Sequence, residues 1–121
     1  MKLTKRQREA LRQAFDCRCG LCGSILPSRG WHAEDIGEAL VSGGVIPVCR
    51  ECHTAKGHAC VQGFRTLLSE QVQRAHRQSA NFRTALRFGL VEEARRPVVF
   101  WYERHAGRSA RPGYMSRPEA A

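Results

Sequence analysis

The chain has 121 residues, 42% apolar and 26% charged, a balance that fits one small folded domain and excludes a disordered chain. Twenty Lys and Arg against eleven Asp and Glu give a net charge of +9, which favours a polyanionic partner, nucleic acid above all. No apolar run approaches the roughly 18 residues of a membrane span, and the start Met1-Lys-Leu-Thr-Lys-Arg lacks a leader-like core, so the expectation is a cytoplasmic protein with no membrane partner.

The first predicted element is a helix over residues 5–15. Thr4 caps it, and Gln7 three positions on completes a capping box. A knuckle follows over residues 16–23, where cysteine and glycine crowd together, and Pro27 to Gly30 make a turn. Residues 31–36 predict a short strand, Ser42-Gly43-Gly44 a turn, and Val45-Ile-Pro-Val48 a second strand that its proline confines to an edge. From Cys49 the pattern turns helical, with Gly57 as its stop. Val61, Phe64, Leu67, Leu68, Val72 and Ala75 then predict one long amphipathic helix to about residue 78. Phe82, Ala85 and Leu86 mark another helix that ends near Gly89, and the β-forming run of residues 97–102 predicts a final strand. The expected domain therefore covers residues 1–105, with 106–121 a flexible basic tail. Trp31, Phe64, Phe82, Phe88, Phe100 and Trp101 are the candidate core aromatics.

Chemistry concentrates in two pairs of cysteines. Cys19-x-x-Cys22 and Cys49-x-x-Cys52 each let two thiolates converge on a tetrahedral ion, and two such hooks make a closed structural zinc site. A thin core gains most from such a staple. Cys17 competes with Cys19 for the first position, and C-x-x-C spacing favours Cys19. Cys60 reads as a buried thiol without a partner. Charge is segregated around these hooks: residues 1–18 carry +4, residues 19–60 carry −1 and residues 61–121 carry +6.

The segments Trp31-His-Ala-Glu-Asp-Ile36 and Gly44-Val-Ile-Pro-Val-Cys-Arg-Glu-Cys-His-Thr-Ala-Lys-Gly57 resemble the two halves of an HNH endonuclease motif. In that family a W-H-x-D-H-I-like strand pairs with N-L-x-P-x-C-x-x-C-H-x-x-K-G, and four cysteines back a ββα-metal fold. The run Arg87 to Glu93 and the stretch Arg96 to Glu103 also resemble a group of phage and prophage HNH proteins, so the likeness spans about residues 5–104. The fold it implies is α+β: a zinc-stapled ββα-metal core with an N-terminal helix, C-terminal helices and a final strand.

The resemblance implies metal-assisted phosphodiester hydrolysis by Mg²⁺ or another divalent ion. Glu34 falls where the family has a metal-binding Asp, and His53 falls on the helix ligand. Asp35 occupies the place of the general-base histidine, and Gly44 approximately that of the orienting asparagine. An aspartate is a poor base at neutral pH. His32, which shares a strand face with Glu34, is then either a substitute base or a structural residue beside Trp31, and Asp35 an extra ligand. Lys56, Arg65, Arg74 and Arg77 are candidate nucleic-acid contacts, made through phosphate rather than through bases. Two functions follow: a phage-type metal-dependent DNA endonuclease, or its catalytically weakened descendant. The alternative is a non-catalytic inhibitor that binds DNA or a host defence nucleoprotein complex, in the host cytoplasm. A zinc-stapled virion component ranks last.

Overall fold

Thr4 opens helix α1 (Lys5–Ala14) as the sequence predicts: its hydroxyl accepts from Gln7 N, and the Gln7 side chain accepts from Thr4 N. In the computed structural model, residues 2–37 and 44–109 are described, without the side chains of 106–109. Two basic residues of α1 serve the fold. Arg8 donates to Trp31 O at 2.9 Å while its guanidinium lies 4.1 Å over the Trp31 ring, and Arg12 reaches Leu26 O. The stack and the hydrogen bond fasten an otherwise shallow helix to the buried Trp31.

Strands β1 (His32–Asp35) and β2 (Val45–Val48) pair antiparallel, His32 opposite Val48 and Glu34 opposite Ile46. The residues joining them, 38–43, lie outside the described chain, and with them most of the predicted Ser42–Gly44 turn. Ile46, Pro47 and Val48 are buried, and helix α2 (Arg50–Lys56) starts two residues beyond the strand. Cys49 caps α2 and Gly57 closes it at φ 56°.

The knuckle packs on β2 through glycine. Gly20 N donates to Pro47 O at 2.7 Å, and a Cβ on Gly20 would lie 3.0 Å from Ile46. Gly23, at φ +83°, abuts the Trp101 ring, where a Cβ would come within 2.8 Å. Together these fix a mixed architecture of helices and one two-stranded sheet.

Four expectations are corrected. The run at 97–102 is not a strand: helix α6 (Trp101–Ser109) starts inside it. Glu103 caps that start by accepting from Phe100 N, while Trp101 N and Tyr102 N donate to Leu21 O and Gly20 O. The backbone of this run is thus spent on a helix start and on the knuckle, so no ladder remains to be made. The same helix carries residues 106–109, which the loose composition assigned to a tail; residues 110–121 lie outside the described chain. The long helix predicted from Val61 is two, α3 (Val61–Ser69) and α4 (Gln71–Gln78), broken at Glu70. Glu70 N turns to Leu67 O, one residue short of the helical partner, and Ser69 Oγ donates back to Arg65 O; neither leaves a trace in the apolar period. Helix α5 (Ala80–Arg87) is capped by Ser79, and Gly89 at φ +71° follows its end. Phe88 forms the α5 C-cap outside the helical stripe and is 73% exposed, so it is not a core residue; Phe64, Phe100 and Trp31 are buried.

The described residues fall into two compact units, one formed by the chain up to Gly57 with the segment from Val99, the other by His58–Val98. Among the described residues no helix is long and apolar enough to cross a membrane.

Candidate functional site

Four sulfurs meet in the first unit. Sγ atoms of Cys19, Cys22, Cys49 and Cys52 all lie within 4.8 Å of one another. Sulfurs each about 2.3 Å from a tetrahedral ion lie about 3.8 Å apart, and Cys22 and Cys49 stand at 3.9 Å. Backbone supplies the rest of the cradle. Leu21 N, Cys22 N and Cys49 N point at Cys19 Sγ within 3.3–3.5 Å, and Cys52 N at Cys49 Sγ. A hydrogen bond from Cys52, assisted by those amides, lowers Cys19 to about 4 against its burial. Cys52 is pushed up by the same hydrogen bond and by burial, and Cys49 by burial. The donor set fits a thiophilic metal such as zinc.

Cys17 stays out of the cluster. It and Asp16 take left-handed backbone, φ 59° and 56°, which turns the chain into the knuckle before Cys19. Cys60, expected to be buried, is exposed, and its sulfur accepts from Gly63 N at the start of α3.

A second cluster joins the sheet to α2. His53 Nδ1 lies 2.7 Å from Glu34 Oε2, and Lys56 Nζ lies 2.9 Å from Glu34 Oε1. The Glu34 and Lys56 side chains are only 12% and 10% exposed, against 43% for His53. His32 stacks on His53, ring centroids 3.7 Å apart and planes 9° from parallel. Desolvation, then the neighbouring His53, lowers the His32 pKa, so the ring is neutral at pH 7. Strand parity sets His32 beside Glu34, and α2 brings His53 to both.

Asp35 is not brought in; its Oδ1 accepts from Gly37 N in the turn after β1. Gly44 sits nearby at φ +72°, its backbone oxygen accepting from Ile36 N. Sequence reasoning missed the Lys56–Glu34 pair, although the three-residue spacing of His53 and Lys56 places them on one helical face.

The arginines divide. Arg65 donates to Val98 O and Gln62 Oε1, and Arg74 faces Glu70 at 3.7 Å. Arg77 makes no ion pair among the described residues.

Comparison adds nothing to this geometry. No protein-family model matches the chain, and no match was found among curated proteins or solved structures.

Proposed function

We propose that this chain is a zinc-stapled, HNH-like protein that hydrolyses phosphodiesters of nucleic acid with a divalent ion such as Mg²⁺. The observation that carries the reading is the convergence of the Glu34 carboxylate on the sheet and His53 Nδ1 on α2, 2.7 Å apart, with the cysteine cluster tying the start of α2 to the knuckle. The strand–strand–helix order β1, β2, α2 is read as a ββα-metal core and the four cysteines as its structural zinc site.

Oxygen and imidazole nitrogen together suit Mg²⁺, Mn²⁺ or Ni²⁺, so Glu34 and His53 would hold the ion. Such an ion supplies Lewis acidity to the phosphoryl group and stabilises the departing oxygen. His32 takes the base's part. Its neutral ring lies against His53 and can receive a proton from water, whereas Asp35 is turned to Gly37. Stacking restricts the ring, which orients that nitrogen without an asparagine at position 44.

A second reading rests on Lys56. Its ammonium already neutralises Glu34 from a nearly buried position and competes with a divalent ion there. On this reading the site is a closed ion pair in a nuclease descendant that only binds nucleic acid or a nucleoprotein complex.

Incubating the zinc-loaded protein with supercoiled DNA and Mg²⁺, Mn²⁺ or Ni²⁺ separates the two. The first reading expects nicking that Glu34→Ala and His53→Ala abolish and His32→Ala slows by about 100- to 10,000-fold. No nicking with any ion, with salt-sensitive binding retained, establishes the second.

A further inference from the structure

The His58–Val98 unit carries seven arginines, no lysine and three glutamates, a net charge of +4. Four of the seven have structural partners. Arg65 and Arg83 donate to main-chain oxygens, Arg74 faces Glu70 and Arg87 bonds Thr84. Arg77, Arg95 and Arg96 have no ion pair or hydrogen bond from their guanidinium groups among the described residues.

Those three line one groove. A cavity of about 310 Å³ lies between α3, α4 and the segment after Glu92, with apolar Leu68, Val72 and Val98 beside Arg95 and Arg96. A second, of about 290 Å³, adjoins it through Gln73, Glu93 and Arg95 and is bordered by Arg77 and His76. Guanidinium forks without counter-ions match phosphate oxygens, and exclusive use of arginine favours that geometry over diffuse charge. An apolar wall between the forks has nothing to meet on a duplex, whose base faces are stacked away. An unpaired strand exposes those faces. Each cavity is at the small end of ligand sites, sized for a nucleotide unit rather than a helix. The one carboxylate in the groove, Glu93, stands 3.9 Å from His76 and can accept from an exocyclic base amine.

We infer that this groove seats single-stranded nucleic acid, with Arg77, Arg95 and Arg96 on successive phosphates and a base against Leu68, Val72 and Val98. The inference rests on the nucleic-acid reading above and adds to it a strand form and a site within the His58–Val98 unit.

The test is fluorescence anisotropy of the full zinc-loaded chain with a labelled 15-nucleotide mixed-sequence strand and with its duplex, no other divalent ion being present. The single strand is expected to bind about tenfold or more tightly than the duplex. The triple change Arg77→Gln, Arg95→Gln, Arg96→Gln is expected to weaken it by about 10- to 100-fold and to lower the log–log salt slope by about 2, near 0.7 per lost phosphate contact. Val72→Glu, on an exposed helix face, should weaken the strand more than the duplex. Circular dichroism of each variant confirms that the helices persist. Single-strand binding that survives the triple change, or a duplex bound as tightly, overturns the groove and leaves the hydrolysis reading standing. Displacement by a polyglutamate peptide as effective as by unlabelled strand assigns the groove to an acidic protein and also overturns the inference. Failure to bind either nucleic acid overturns both readings.

Discussion

At the scale of single residues, the molecule depends on a place where no side chain fits. Gly23 combines a left-handed backbone with the Trp101 ring at its Cα. Gly23→Ala therefore meets strain and a clash together, and urea unfolding should show a loss of about 1–3 kcal/mol. The cysteines were legible because C-x-x-C is a local signal that needs no knowledge of the fold. His32 was half legible: parity put it on the face of Glu34, but only the register of α2 against β1 stacks it on His53. Lys56 was read as a phosphate contact, while the fold sets its ammonium on Glu34, a pairing that depends on where hairpin and helix meet.

Among the elements, α1 is the clearest case of sequence dictating structure. Its capping box is complete, so Thr4→Ala should cost about 1 kcal/mol in thermal or denaturant unfolding and fray the first turn. The segment Pro97 to Tyr102 shows the opposite. Five of its residues favour strands, yet a strand needs a partner edge, and among the described residues the only sheet is the β1–β2 pair. With the knuckle carbonyls of Gly20 and Leu21 waiting for donors, the chain starts a helix there instead. Intrinsic preference yields to hydrogen-bond satisfaction at such a junction. The break at Glu70 was illegible for a related reason: the Glu70 amide closes on Leu67 O and ends α3 without disturbing its apolar spacing.

For the whole molecule, both tryptophans, Trp31 and Trp101, lie in the unit that contains the four cysteines. Tryptophan emission thus reports that unit alone. Chelation should shift it to the red, while much of the helical signal from α3, α4 and α5 persists in circular dichroism. Acid should act in the same direction. Cys49 and Cys52 hold their protons more tightly than ordinary thiols, so binding a cation must expel those protons, and the affinity falls as pH falls. A metal titration repeated at pH 6, 7 and 8 should give progressively tighter binding. An emission spectrum indifferent to chelator and pH would contradict a structural ion.

The unit that holds the cysteine cluster is discontinuous, interrupted by His58–Val98, and Gly20 and Leu21 receive their hydrogen bonds from Trp101 and Tyr102. On the ribosome those donors emerge some eighty residues after the carbonyls that await them. Cys52, by contrast, follows Cys19 by thirty-three positions, so the thiol cage is complete long before the closing strap is made. An ion taken up by that cage would hold the nascent knuckle until its C-terminal clasp arrives.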